Sequence, residues 1–144
     1  MNLFGMLEIS GSALTAERLR AEVVTSNMAN AETTRTPEGG PYQRQLVVFH
    51  ARRSQPFPLM LAGMSASSAR GVQVDQVLVD RKPPVERYQP GHPDADAQGF
   101  VAYPALDPVE EMTDLLGAMR AYELNASAVQ ATKSMLQQSL DLLR

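Results

Sequence analysis

The chain has 144 residues, the length of one ordinary domain, and 44% hydrophobic against 20% charged residues excludes a wholly disordered chain. A net charge of −3 leaves no basic excess to neutralise phosphates, which argues against a general nucleic-acid binder. Cysteine is absent, removing disulfides, thiolate metal sites and cysteine nucleophiles, and no apolar run is long enough to cross a membrane as a helix.

In chain order, the proline-free stretch from about 3 to 31 predicts a helix. Leu7, Leu14, Ala21 and Met28 recur at seven-residue spacing, with Val24 and further apolar residues beside them. The breaker-rich run Thr33 to Pro41 ends it. All but one of the ten prolines fall between residues 32 and 107. That region predicts short strands at 42–51, 72–79, 85–88 and 100–103, with an Ala/Ser-rich loop at 62–71. A second helix is predicted over 108–143, opened by Asp107 as N-cap and Pro108 at the first helical position. Glu110, Glu111 and Asp114 would complement its dipole. The opening residues, with no basic segment and no small-residue cleavage site, predict that any exit from the cell avoids the Sec route.

The second helix carries an alternation of four and three: Leu115, Met119, Tyr122, Ala126, Val129, Lys133, Leu136, Leu140 and Leu143. This is a coiled-coil seam broken only by Lys133. The fold class expected is mainly α with a small β insert: long N- and C-terminal helices pairing as a coiled coil around an irregular β-rich middle. Residues 1–31 and 106–144 form the helical domain, and 32–105 the insert. From Ala121 to Leu140 only Glu123 and Lys133 are charged, so the helix lacks a charged face for water. Small neutral polar residues in their place suit close contact with further helices, which predicts assembly through these segments.

Ser26-Asn27-Met28-Ala29-Asn30-Ala31-Glu32-Thr33 resembles the Asn-rich motif that closes the first helix of bacterial flagellar axial proteins, the rod, hook and hook-associated family. Arg120-Ala121-Tyr122-Glu123-Leu124-Asn125-Ala126, followed by Met135-Leu136, resembles their C-terminal motif. The stretches 37–42, 88–101 and 107–112 are similar to a short proximal-rod member, although Ala105-Leu106 stands where Asn-Val is expected. The resemblance implies a structural, non-enzymatic rod subunit that needs no cofactor. Such a subunit leaves through the flagellar type III export apparatus and polymerises helically in the periplasm-spanning basal body to transmit torque. It implies as partners copies of itself, the rod proteins FlgB, FlgF and FlgG, and the adaptor FliE. It carries Asn27, Asn30, Tyr122 and Asn125 over as motif residues. The assembly seam expected is Leu115, Met119, Tyr122, Ala126, Val129, Leu136 and Leu140 against Leu7, Leu14, Ala21, Val24 and Met28. The rival reading is a soluble coiled-coil adaptor or export chaperone that forms a closed dimer.

Chemical candidates are sparse. His92, with Asp94 and Asp96 nearby, could ligate a divalent metal, but proline-bracketed loops use such residues mainly for turns. His50 follows a β run and is expected half-buried in the sheet. Ser10-Gly11-Ser12 lacks the second glycine of a nucleophile elbow, and Asn125-Ala126-Ser127 is a chance glycosylation sequon inside a helix. The dipole explains Glu110, Glu111 and Asp114 without catalysis.

Overall fold

A computed structural model describes residues 3–52 and 71–142, so the loop expected at 62–71 lies, Gly71 excepted, outside the described residues. The elements are α1 (Leu3–Ala29), β1 (Gln45–Ala51), β2 (Val72–Val79), β3 (Val85–Tyr88), β4 (Phe100–Tyr103) and α2 (Pro108–Asp141). α1 ends two residues earlier than its sequence suggests, because Asn30 closes the last turn. Its backbone N–H and its Nδ2 both donate to Ser26 O, at 3.1 and 2.9 Å. α2 begins as expected: Asp107 has extended backbone and its Oδ1 accepts from Val109 N at 2.9 Å, with Pro108 next.

The strands form two separate antiparallel pairs. β1 and β2 run in register from Gln45↔Val79 to Ala51↔Val72, with a bulge where Asp75 is the extra residue. This pair packs on α1. At Gly71, just before β2, the backbone comes so near α1 that an added Cβ would lie 2.3 Å from Ser12 Oγ. That hydroxyl donates to Ile9 O at 2.7 Å and accepts from Val72 N at 3.0 Å, stitching strand to helix. Glu8 and Arg52 add an exposed ion pair at 2.9 Å. β3 pairs with β4, Val85↔Tyr103 to Tyr88↔Phe100, across a loop that needs Gly99 at φ +86°. Asp94 of that loop accepts from Thr34 Oγ1 at 2.9 Å, fastening the hairpin to the segment that leaves α1.

The helices pair with α1's last turn beside α2's first, and the structure draws the contact line differently from the sequence. The buried residues of α2 are Glu111, Ala118 and Thr132, with Asn125 half-buried between them: one every seven residues, all small or polar. Leu115, Val129 and Leu136 are half-buried alongside, whereas Met119, Tyr122, Ala126 and Leu140 are exposed. On α1, Val24 is buried and Leu7, Leu14, Ala21 and Met28 are half-buried. Interaxial distance follows the side chains at the contact, and small residues let the two backbones approach. The apolar alternation therefore occupies one edge of the helix pair rather than its centre. α2, at 34 residues, also outlasts the 27 of α1.

Candidate functional site

The densest set of polar contacts lies where α1 ends, β1 begins and α2 starts. Asn27 is 1% exposed and uses its whole amide. Its Oδ1 accepts from Tyr42 Oη and from Gln45 N, and its Nδ2 donates to Gln45 O and to Glu111 Oε2, each at 2.9 Å. The other carboxylate oxygen of Glu111, itself 1% exposed, accepts from Arg44 Nε at 2.5 Å. Arg20 Nη2 donates to Asp114 Oδ1 at 3.1 Å, and Arg44 Nη2 lies 3.8 Å from Asp114 Oδ2. Three chain segments far apart in sequence are thus joined through one amide and one carboxylate. Every buried polar atom of Asn27 is satisfied, which the high cost of an unpaired buried group demands.

Glu111 lies in the first turn of α2, as the dipole reading places it, and the geometry adds a second role. It is the buried acceptor of a guanidinium and an amide, while Glu110 stays exposed. Sequence reasoning missed Arg44, Tyr42 and Arg20. One signal was available: Glu111, Ala118, Asn125 and Thr132 share a seven-residue spacing that an apolar count passes over.

The remaining candidates fall into structural roles. His92 Nδ1 accepts from Asp94 N at 3.1 Å, and Asp96 Oδ1 accepts from Gln98 N and Phe100 N at 2.8 Å, so these residues shape the loop between β3 and β4. His50 is exposed, contrary to expectation; it lies beside the Ala51↔Val72 end of the strand pair, and its Nε2 lies 3.6 Å from Asp75 Oδ2. Ser12 is the stitch to Val72, and Asn125 Nδ2 donates to Ala121 O at 2.8 Å within its own helix.

Large apolar side chains collect on the outside of α2. Val109, Met112, Leu116 and Met119 recur at three and four residues and are all more than half exposed. Leu124 is 71% and Leu142 88% exposed, while Ala118 is fully covered. Beside the first stripe, a groove of about 450 Å³ between the helices is lined by Ala21, Ala118, Met119 and Tyr122, with Glu17, Arg18 and Glu123 at its rim. Glu22 accepts from Arg18 Nε at 2.9 Å; this hydrogen bond, then the carboxylate's charge, raises the Arg18 pKa above its ordinary value and keeps it cationic.

Comparison with known proteins bears on the whole length. Residues 7–35 match the family model described as flagella basal body rod protein, and residues 97–142 match that described as flagellar basal body rod FlgEFG protein C-terminal. The chain is 38% identical over 151 aligned residues to the flagellar basal-body rod protein FlgC of Borreliella burgdorferi, covering 100% of this chain and 99% of that one. It is 39% identical to FlgC of Bacillus subtilis, with 99% of each chain covered. For FlgC of Salmonella typhimurium the identity is 35%, over 99% of this chain and 98% of the other. The chain belongs to the FlgC family of flagellar basal-body rod proteins.

The first matched segment covers most of α1 and the turn after it, and the second covers β4 and α2. In this FlgC-family chain Asn27 and Asn30 fall in the first segment, and Glu111, Tyr122 and Asn125 in the second. Of the residues carried over from the axial-family motif, Asn27 and Asn30 organise the exit from α1 through the hydrogen bonds given above. Asn125 is half-buried on the helix-pairing line, and Tyr122 lines the groove. Arg44, which completes the buried FlgC-family cluster here, lies between the matched segments.

Proposed function

We propose that this protein is a structural subunit of the flagellar basal-body rod and that it polymerises helically through its two terminal helices. The observation that carries the mechanism is the inverted distribution on α2. Small and polar residues fill the line against α1, while Val109, Met112, Leu116, Met119 and Leu124 face outward. Contiguous exposed apolar surface of this kind marks an interaction face, since burying it recovers roughly 25 cal/mol per Å². Neighbouring subunits supply that burial, so the shaft stiffens as subunits add. The assembly seam includes Met119, Tyr122, Ala126 and Leu140 from the exposed edge, with Leu115, Val129 and Leu136 at the border. Leu7, Leu14, Ala21, Val24 and Met28 act from α1.

The partners in this reading are further copies and the rod proteins FlgB, FlgF and FlgG, with FliE at the base. Delivery is through the flagellar type III apparatus to the periplasmic span of the rod. The work is mechanical: torque passes through the buried seams, and the buried Asn27–Glu111–Arg44 cluster holds the start of β1 at a fixed angle to the helices. A tagged copy of the chain should co-purify with intact basal bodies and restore motility to a strain lacking its own version. A chain that folds, is expressed and never enters basal bodies defeats the reading.

A further inference from the structure

With no cysteine in the chain, all of its sulfur is thioether, in eight methionines. Five of these fall among the described residues. Met6 and Met28 are half-buried on α1, whereas Met112, Met119 and Met135 are exposed on α2, by 54%, 51% and 41%. Met112 and Met119 stand two turns apart, so they share one side of the helix with Val109 and Leu116. Met135, sixteen residues past Met119, lies about 160° around the helix from that side. The line against α1 is filled instead by Glu111, Ala118, Asn125 and Thr132, so neither thioether of the stripe holds the two helices together. A chemical change at those two sulfurs alters the outer face and leaves the helix pairing alone.

We propose that Met112 and Met119 form an oxidative modification site that decides whether the chain can assemble. A peroxide converts both to sulfoxides in the free chain, and the sulfoxides close the apolar stripe to neighbours. This rests on the rod-subunit reading, in which neighbours cover that stripe. In the reaction the thioether sulfur attacks one oxygen of hydrogen peroxide, and an S–O bond forms as the O–O bond breaks. The proton of the transferred oxygen passes to the departing hydroxide, which leaves as water; sulfur gives up two electrons and the peroxide takes them. The product is a polar acceptor on a stripe whose other members, Val109 and Leu116, have only C–H to offer it. Covering an acceptor that finds no donor is costly, so a contact that favours assembly of the parent opposes assembly of the sulfoxide. The two sulfurs lie on one side of α2 roughly 10 Å apart, and a neighbour that covers Leu116 between them meets both. Once covered, they are out of reach of peroxide, so the site acts on free chains and spares those already built in. Methionine sulfoxide reductases reverse the change, which makes the exclusion reversible.

The test treats the purified full chain, and isolated basal bodies that contain it, with the same dose of hydrogen peroxide. Peptide mass spectrometry then reads the sulfoxide at each methionine. In the free chain Met112 and Met119 should oxidise several-fold faster than Met6 and Met28, and in basal bodies both should slow several-fold. Met112→Gln with Met119→Gln places a permanent polar group on the stripe; this variant should fold as the parent does and enter basal bodies about tenfold less. Met112→Leu with Met119→Leu should enter as the parent does. If the glutamine pair does not fold, the single Met112→Gln variant is read in its place. Oxidation of Met112 and Met119 no faster than that of Met28 in the free chain overturns the proposal, as does undiminished oxidation of the stripe in basal bodies. Glutamine variants that enter as well as the parent overturn it, and so does exclusion of the leucine pair, because polarity at these sulfurs then decides nothing. All of these results leave the rod-subunit reading intact. Absence of the parent chain from basal bodies defeats that reading, and the proposal with it.

Discussion

Asn27→Asp changes one atom's identity at the centre of the buried cluster, and its cost follows from the contacts. The Nδ2 that donates to Gln45 O and Glu111 Oε2 at 2.9 Å becomes a carboxylate oxygen facing two acceptors. Two carboxylates that close cannot both stay ionised in a site where each is 1% exposed. The inexpensive escape is to protonate one of them. At pH 7 that costs about 4 kcal/mol, three units above an ordinary carboxylic acid at about 1.4 kcal/mol each. Gln45 O still lacks its donor, adding about 1 kcal/mol or more. The total, about 5 kcal/mol, is comparable with the whole stability of many domains. The sign with pH is definite. The shared proton is held more tightly folded than unfolded, so the penalty is full at neutral pH and shrinks as pH falls towards 4–5. Urea unfolding of variant and parent at several pH values, followed by circular dichroism, reads both effects. Adding Glu111→Gln should recover about 2 kcal/mol, because the glutamine amide donates to the introduced carboxylate while its carbonyl still accepts from Arg44. A single variant within about 0.5 kcal/mol of the parent, with no pH dependence, refutes the description of the cluster.

Further outcomes follow from other contacts. Gly71→Ala places a methyl against Ser12 and should cost about 1–3 kcal/mol, loosening the β1–β2 pair from α1 as read by amide exchange. Adding Ser12→Ala should return part of that loss by removing the obstructing hydroxyl. Leu116→Glu, on the exposed face, should leave stability within about 0.5 kcal/mol and yet prevent incorporation into basal bodies, scored by immunoblot and swimming. Val129→Asp, half-buried at the border of the helix contact, should abolish incorporation while leaving the strand pairs formed, so normal motility in that variant contradicts the packing described here.

The elements were legible because their signals are local. Proline and glycine clustering located the middle region, runs rich in β-branched and aromatic residues located β2 through β4 to the residue, and Asp107-Pro108 fixed the start of α2. The inner line of the helix pair was not legible from hydrophobicity, since its members are Glu111, Ala118, Asn125 and Thr132. A carboxylate in a helix's first turn ordinarily faces water, and only the arrival of Arg44 from a segment 67 residues away makes Glu111 a buried acceptor. That pairing depends on tertiary placement, as does the exposure of His50 beside the Ala51↔Val72 end of its strand pair. Asn27 stood out by its motif, while its three partner residues, Tyr42, Gln45 and Glu111, came from segments that no local pattern connects to it.

The buried cluster and the outward apolar face are two consequences of one choice of residues. Asn27 Nδ2 reaches Glu111 Oε2 at 2.9 Å only if α1 and α2 lie close together, and Ala118, covered completely, is the nearest spacer that sets this separation. A bulkier residue there would push the axes apart towards the upper end of the usual range of about 8–10 Å. Ala118→Leu is therefore expected to destabilise the chain by about 1–3 kcal/mol despite adding apolar surface, because overpacking strains the pair and separates the two halves of the cluster. Unfolding in urea reads the loss, and an Asn27→Ala change made on top of it should cost less than it does in the parent, since the contact it removes is already stretched. An unchanged or higher stability would mean that the spacing is not set at Ala118. With small residues required inside, α2 must carry its large ones outside, where α1 cannot cover them. Close packing within one subunit and dependence on neighbours are then the same property, seen from the two sides of a single helix.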